Sequence, residues 1–202
     1  IWMDNVCKEL KDQGCELIIS PNGSPFDKYK INQRKTIIED RVTEVKTPFV
    51  YVNQFGGQDE LVFDGSSLVM NGNKEVVFEA PSWEENTSLV EFNVSEKKFN
   101  NLPFDKAQVS DLENIYMATV IGLRDYVAKN NFPGVILGLS GGIDSAFCAA
   151  VAVDALGKDK VNAYMLPSVY TSTNSLDDAK DCAKRLEIHL DSIPISLSLI
   201  HI

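Results

Sequence analysis

The sequence predicts an α/β protein built from two different parts. Helical and strand-like segments alternate from residue 110 onward, a pattern typical of a parallel sheet with crossover helices. Residues 49–94 instead read as short strands separated by turn residues, after two helices. A small-residue loop lies between an apolar strand and a helix at residues 134–156, where glycine loops commonly bind phosphate.

The first segment is predicted to hold two helices and one strand. Residues 4–13 form a short amphipathic helix that Gly14 ends, residues 16–20 form a strand, and residues 31–46 form a second helix with charge on its outer side. The side chains expected to face inward are Val6, Cys7 and Leu10 in the first helix and Ile31, Ile37, Ile38, Val42 and Val45 in the second.

The next segment is predicted to form strands whose alternating faces are buried in an α/β sandwich. The five strands are residues 49–54, 61–63, 67–70, 75–79 and 89–94. The turns between them are Gly56-Gly57, Asp64-Gly65, Asn71-Gly72-Asn73 and Glu84-Glu85-Asn86.

Residues 95–109 are polar and turn-prone, and we interpret them as a connection between the two parts. Ser110 and Glu113 then have capping-box spacing. The helix that they open has an apolar stripe of Leu112, Ile115, Tyr116, Val120, Leu123 and Val127. Strands are expected at residues 134–137, 161–166 and 190–195.

One stretch, the glycine loop, carries the chemistry of the second part. It is Gly138, Leu139, Ser140, Gly141, Gly142, Ile143, Asp144 and Ser145. Its glycines let the backbone come close to a ligand, its serines add hydroxyl donors, and the helix that follows adds a partial positive charge. An acid at Asp144 would repel an anion unless it holds a cation such as Mg²⁺ between itself and phosphate.

The spacing of the glycines excludes the G-x-x-x-x-G-K-[ST] and G-x-G-x-x-G motifs. The run Ser140-Gly141-Gly142-Ile143-Asp144-Ser145 instead resembles the PP-loop of ATP pyrophosphatases, which split ATP between its α and β phosphates. The alternative is an ordinary glycine turn between a strand and a helix.

The composition of the chain limits the partners and the compartment that we expect. The chain has 202 residues, 44% hydrophobic content and a net charge of −10, which argues against nucleic acid and against an anionic membrane as partners. Its four cysteines show no C-x-x-C pair, and we interpret them as reduced thiols of a cytoplasmic protein. The chain begins and ends within predicted elements, which is the pattern of a fragment.

The first part resembles the later portion of a carbon–nitrogen hydrolase (nitrilase-like) domain. The matching runs are Ile1-Trp2, Ile18-Ile19-Ser20-Pro21-Asn22-Gly23-Ser24-Pro25, Tyr51-Val52-Asn53-Gln54, Gly56-Gly57 and Phe63-Asp64-Gly65-Ser66-Ser67. Together with the PP-loop, the chain resembles the family of glutamine-dependent NAD⁺ synthetases. The fold that this implies is the C-terminal part of a nitrilase-like α/β sandwich (residues 1–98), followed by the start of a PP-loop parallel-sheet domain, adenine nucleotide α-hydrolase-like (residues 99–202).

The resemblance implies a homo-oligomeric ligase that converts deamido-NAD⁺ to NAD⁺. ATP would adenylate the nicotinate carboxylate, and ammonia from L-glutamine would displace AMP, with ATP and Mg²⁺ bound. The family releases ammonia through a Glu–Lys–Cys triad that would lie before Ile1, so no catalytic triad residue is expected in this chain. Residues 1–202 alone are therefore expected to lack glutaminase and NAD⁺ synthesis activity.

The resemblance also implies roles for individual residues. The eight residues of the glycine loop would bind ATP, and Asp144 would bind the metal. Ser24 would contact the α-amino and carboxylate end of glutamine, and Lys30 would pair with its carboxylate. The alternatives are a hydroxyl that caps a tight turn for Ser24 and one more solvated lysine for Lys30.

The chain departs from the family after its second PP-loop strand. There Leu166-Pro167-Ser168-Val169-Tyr170-Thr171-Ser172 has Val169 where the family usually has arginine. Met165 and Leu166 are candidates to contact adenine or, equally, to pack in the core. Two rival functions remain open, namely another PP-loop enzyme that amidates or thiolates its substrate and a non-catalytic nucleotide-binding subunit.

Overall fold

The computed structural model describes residues 5–104 and 109–195 and divides into two compact units, Ile1–Ala118 and Thr119–Ile202. The unit boundary falls within helix α3 (Asp111–Lys129). The mixed α/β fold is confirmed. The segment boundary at residues 98/99 concerns family membership and stays a prediction. Ile1 and Trp2, which carry part of the family resemblance, lie outside the described residues.

The first unit contains a mixed four-stranded sheet of order β1-β2-β5-β6. Its strands are β1 (Ile18–Asn22), β2 (Phe49–Asn53), β5 (Leu68–Met70) and β6 (Val76–Glu79), of which only the β1–β2 pair is parallel. Its two helices are α1 (Val6–Asp12) and α2 (Lys30–Val45). Two hairpins complete it, β3 (Phe55–Gln58) with β4 (Leu61–Asp64) and β7 (Phe92–Asn93) with β8 (Lys98–Phe99).

The inner face of helix α2 and the β1–β2–β5 part of this sheet share one hydrophobic core. The core residues are Ile18, Ile38, Val42, Val45, Phe49, Tyr51, Leu68 and Met70. A smaller cluster of Val69, Val77 and Phe99 is separate from it, because alternate residues of a strand point to opposite faces. Parallel pairing of β1 with β2 requires a crossover, which α2 supplies.

The second unit is a parallel three-stranded sheet of order β11-β10-β9. Its elements after α3 are β9 (Val135–Gly138), α4 (Ile143–Leu156), β10 (Val161–Met165), α5 (Thr173–Leu186) and β11 (His189–Ser192). Small residues of both helices, Ala149, Ala152, Ala179 and Ala183, pack with the strands in one core, so the helices can approach the sheet closely. The predicted parallel sheet is confirmed.

Several apolar side chains that were expected inside are on the surface. Val6, Leu10 and Ile37 are exposed, and helix α1 has no buried residue. Leu112 and Ile115 are exposed in α3, where the buried positions are Asn114, Val120, Ile121 and Val127. Ile37 and Ile38 are about 100° apart around a helix, so a single packed face buries one and exposes the other.

Two predictions about the strands were wrong. Gly56 and Gly57 lie inside β3 rather than in a turn, and the hairpin turns at Asp59, which has a φ of +52°. The connection predicted at residues 95–109 is partly structured, because β8 pairs with β7 and buries Phe99. The strand predicted at residues 89–94 is reduced to β7.

In the parts of the chain that are described, no helix is both long and apolar enough to cross a bilayer.

Candidate functional site

The glycine loop leaves the second sheet at the carboxyl end of β9. Gly138 is aligned with Tyr164 of β10, and the next N–H, that of Leu139, donates to the Tyr164 carbonyl at 2.9 Å. The Leu139 side chain is buried in the core, so Leu139 anchors the loop. The carboxyl ends of parallel strands are where open α/β sheets bind ligands.

The serines of the loop hold its backbone by short-range hydrogen bonds. The hydroxyls of Ser140 and Ser145 are 3.0 Å apart. The Ser140 N–H donates to Ser145 Oγ at 3.2 Å, and the Gly142 N–H donates to Ser140 Oγ at 3.2 Å. Ser145 Oγ in turn donates to the Gly142 carbonyl at 2.9 Å. The loop thus fixes its shape with its own side chains.

Helix α4 begins directly after this network. Gly142 is its N-cap, and the first intrahelical bond runs from the Ala146 N–H to the Gly142 carbonyl at 3.1 Å. The N–H groups of Ile143, Asp144 and Ser145 therefore precede that bond at the positive end of the helix dipole. This end of the helix can bind an anion such as phosphate.

Gly141 has a structural role that only glycine fills. Its φ is +82°, a region that other residues rarely adopt. A Cβ at this position would also overlap the Ser175 carbonyl near the start of helix α5. The loop therefore packs its backbone directly against α5, and any side chain at Gly141 would push the two apart.

The described residues contain no group of three or more His, Cys, Asp or Glu side chains that could hold a metal by itself. Asp144 is exposed in the first turn of α4 and directly precedes Ser145 in the chain. Mg²⁺ commonly uses one or two carboxylates and completes its shell with phosphate oxygens and water. Asp144 therefore fits a metal that arrives with phosphate and does not fit a metal site made of protein alone.

The segment after β10 is an ordered turn. The Ser168 N–H donates to Thr171 Oγ1 at 2.9 Å, and Val169 between them is largely exposed. The side chain that replaces the family arginine thus points out of the fold and provides no charge. Met165 is buried in the core of the second unit, whereas Leu166 is exposed.

In the first unit, the last residue of β1 and the four residues after it form what we call the serine loop, Asn22, Gly23, Ser24, Pro25 and Phe26. The Ser24 N–H donates to Asn53 Oδ1 at 2.9 Å, and Asn53 Nδ2 donates back to the Ser24 carbonyl at 3.2 Å. Ser24 Oγ accepts from Arg34 Nε at 3.0 Å. Ser24 is therefore fixed by side chains distant in sequence rather than by the tight turn that the alternative interpretation expected.

Lys30 is the first residue of helix α2 and is half-buried. Its neighbours have partners: Lys35 contacts Glu79 at 2.8 Å, and Lys28 lies 5.3 Å from the centre of the Tyr29 ring and 4.0 Å from Asp111. No ion-pair partner for Lys30 is found in residues 5–104 or 109–195. Among these three lysines, Lys30 is thus the one without such a contact in the described residues.

Neither cysteine of the first segment has the surroundings of a nucleophile. Burial raises the pKa of the Cys7 thiol above its ordinary value, so less of it is thiolate. The Cys15 thiol donates to the Leu17 carbonyl at 2.9 Å. Both side chains pack against the core of the first unit, which agrees with a structural role.

The sequence did not reveal the charged pair beneath the serine loop. Arg34 and Asp64 are buried, although α2 was expected to keep charge on its outer side and Asp64-Gly65 was read only as a turn. A possible signal was the position of Arg34, which is four residues before Ile38 and eight before Val42 on the buried face.

Comparison with known proteins assigns both segments. Residues 1–98 match the carbon–nitrogen hydrolase family and residues 115–200 match the NAD synthase family. The chain therefore joins a carbon–nitrogen hydrolase segment to an NAD synthase segment. It is 43% identical over 195 residues to a glutamine-dependent NAD⁺ synthetase of Rhodobacter capsulatus, covering 96% of this chain and 35% of that protein. Its counterpart from Acinetobacter baylyi is 42% identical, with 93% and 35% covered.

The fold agrees with these relatives. The structure of the glutamine-dependent NAD⁺ synthetase of Acinetobacter baumannii in complex with ADP matches with a TM-score of 0.92 at 38% identity, over 99% of this chain and 38% of that one. The chain belongs to the family of glutamine-dependent NAD⁺ synthetases. It spans about a third of the length of the curated relatives that it matches.

Proposed function

We propose that the complete protein amidates deamido-NAD⁺ to NAD⁺ with ATP and with ammonia released from glutamine. One observation carries the proposal, namely that a single chain combines a carbon–nitrogen hydrolase segment with an NAD synthase segment. Other PP-loop enzymes that amidate or thiolate would share the glycine loop, and the upstream segment favours the NAD⁺ synthetase reaction over them.

A carboxylate is a poor acyl donor, so the nicotinate carboxylate must first be activated. One of its oxygens attacks the α-phosphorus of ATP, the bond to the β-phosphate oxygen breaks, and pyrophosphate leaves. Ammonia then attacks the carbonyl carbon, loses a proton, and AMP departs with the bridging oxygen. The amide of NAD⁺ is the product.

We assign the glycine loop to the phosphates of ATP. The N–H groups of Ile143, Asp144 and Ser145 are oriented by helix α4, so they would stabilise developing negative charge without rearranging. The hydroxyl protons of Ser140 and Ser145 are engaged in hydrogen bonds within the loop, so these side chains shape the site and must reorient to donate to a phosphate. The Gly138 and Leu139 backbone holds the loop on the sheet. Asp144 would hold Mg²⁺, which neutralises charge on the leaving pyrophosphate when bound.

We assign Ser24 and Lys30 to glutamine. Lys30 is half-buried as a residue, and its ammonium suits the substrate carboxylate, with which it would make a charge-assisted contact. Ser24 Oγ already accepts a hydrogen bond from Arg34, which leaves its hydroxyl proton to be donated to the same carboxylate.

Cys7 and Cys15 have no part in ammonia release in this proposal. The domain division at residues 98/99, a cytoplasmic location and self-assembly of the complete protein are also part of the proposal.

Isotope labels in the complete protein test the reaction. With deamido-NAD⁺ whose nicotinate carboxylate carries ¹⁸O, one ¹⁸O should appear in AMP, because the attacking oxygen leaves with the nucleotide. With glutamine labelled by ¹⁵N in the side-chain amide, the label should appear in the carboxamide of NAD⁺. AMP without ¹⁸O would exclude the adenylated intermediate, and unlabelled NAD⁺ would exclude glutamine as the donor.

A further inference from the structure

A buried arginine holds the serine loop from beneath. Arg34 lies on the inner face of α2 and is 6% exposed. Its guanidinium donates to both oxygens of Asp64 at 2.8 Å, to the Ser24 and Pro25 carbonyls at 2.8 and 3.0 Å, and to Ser24 Oγ at 3.0 Å. Three of these five bonds end on the serine loop.

Asp64 orients the guanidinium. It lies at the end of β4, is fully buried, and grips Arg34 in the bidentate geometry that fixes both the position and the plane of the group. The Ser66 hydroxyl donates to the same carboxylate at 2.8 Å, and Ser82 lies 2.8 Å beyond it. The plane of the Arg34 guanidinium is therefore set by strand β4, and the edge that carries Nε faces Ser24.

Stability alone is a weak reason for this arrangement. Two charges lose their hydration when they are buried, and replacing such a pair by apolar side chains is often neutral or stabilising. The pair does, however, determine which hydrogen-bonding role Ser24 plays. Because Arg34 Nε occupies an acceptor position on Ser24 Oγ, the hydroxyl proton is directed elsewhere.

We propose that Arg34, oriented by Asp64, is a positioning residue that presents the Ser24 hydroxyl as a donor to the carboxylate of glutamine. Arg34 itself does not touch the substrate. This inference rests on the proposed role of Ser24 in glutamine binding. It predicts that the affinity for glutamine depends on the Arg34–Asp64 pair, whose side chains are almost fully buried. The rate of synthesis from free ammonium should not depend on this pair.

The test uses the double variant Arg34→Met with Asp64→Leu in the complete protein, since it removes both charges together. Its melting temperature should stay near that of the wild type. The KM for glutamine should rise about tenfold or more, and NAD⁺ synthesis from ammonium should change less than about twofold. A thermally stable double variant with a wild-type KM for glutamine would overturn the inference.

A second variant keeps the test decisive if the double variant does not fold. Arg34→Lys retains the charge but cannot supply the planar set of five bonds, so it should raise the KM for glutamine while leaving the ammonium-driven rate intact. A folded Arg34→Lys protein with a wild-type KM contradicts the inference. Lys35→Met is the matched control, because it removes a half-exposed ion pair from the next position of α2 and should leave the KM unchanged.

Ser24→Ala distinguishes the proposed glutamine site from the proposed positioning role of Arg34. If it raises the KM for glutamine while the stable Arg34→Met, Asp64→Leu protein does not, the glutamine site stands and the positioning role falls. If Ser24→Ala leaves the KM unchanged, the glutamine site itself is misassigned and the inference falls with it.

Discussion

The serine loop and the glycine loop follow parallel-paired strands of different sheets, but they are held by opposite means. The serine loop depends on Arg34 and Asn53, which lie ten and twenty-nine residues from Ser24. The hydrogen bonds that shape the glycine loop between Ser140 and Ser145 join residues at most five apart, and the loop is anchored to the sheet by the bond from the Leu139 N–H to the Tyr164 carbonyl. A rigid shape can thus come either from a long-range buried network or from a local motif.

The difference predicts how each loop responds to substitution. A change within the glycine loop should act on the proposed phosphate site directly, because the residues that shape the loop are also the ones assigned to the ligand. A change beneath the serine loop acts through Ser24 and leaves the ligand side chemically unaltered. Variants of the two loops should therefore separate the two half-reactions of the complete protein.

The largest effect is expected from Asp144→Ala. Removing the proposed metal ligand should reduce pyrophosphate release from ATP by about 1000-fold and leave ammonia release from glutamine intact, because the loss falls on the developing charge of the leaving group. Pyrophosphate release and ammonia release are measured separately.

Asp159→Ala is the matched control for this variant. It removes an equal charge beyond the other end of α4, about 20 Å away along the helix, and should be neutral. Normal pyrophosphate release by Asp144→Ala would exclude Asp144 as a metal ligand.

Gly141→Ala should reduce the ATP-dependent rate by about 100-fold, because the loop must shift away from Ser175 and a displacement of about 1 Å costs that much. Gly142→Ala is the companion variant. Its φ is −86° and its Cβ would lie 3.4 Å from Ser140 Oγ, so its effect should be clearly smaller. Equal losses in the two variants would show that contact with α5 does not determine the loop position.

Ser24→Ala and Lys30→Met should each weaken glutamine-driven synthesis by about 1–3 kcal/mol in kcat/KM and spare ammonium-driven synthesis. Lys28→Met removes a neighbouring charge that already has partners and should not change the KM for glutamine. Equal damage with both nitrogen donors would indicate a folding defect rather than lost binding.

The smallest effect is expected at an exposed pair of the second unit, in contrast to the buried Arg34–Asp64 pair. The Lys158 ammonium is 2.5 Å from Glu187 and holds the pKa of that carboxyl below its usual range. This pair contributes stability above the unfolded-state pKa of the glutamate, which is lost as pH falls through the lower folded-state pKa. Glu187→Gln should lower the melting temperature slightly at pH 7 and not at strongly acid pH. A deficit that persists in acid would contradict this origin.

Sequence and structure agree where the interactions are local. The position of the glycine loop between β9 and α4 follows from a short motif that stabilises itself. The burial of Arg34 could not be predicted in this way, because its partner is thirty residues away and the adjacent residues, Gln33 and Lys35, are polar. The glycines of β3 were misread for a related reason, since pairing with β4 overrode their preference for turns.

Asn53 gives the serine loop a further property. Its side-chain amide bonds both the N–H and the carbonyl of Ser24, which is the exchange that two opposed residues make in an antiparallel sheet. The amide therefore bonds both backbone polar groups of Ser24 just beyond the parallel pairing of β1 with β2, whose last aligned residues are Asn22 and Asn53. Aspartate has the same shape but would place a carboxylate oxygen against the Ser24 carbonyl. One side chain at the end of β2 thus ties the serine loop to the sheet, and a ligand bound at the proposed site would meet backbone groups that are already hydrogen-bonded.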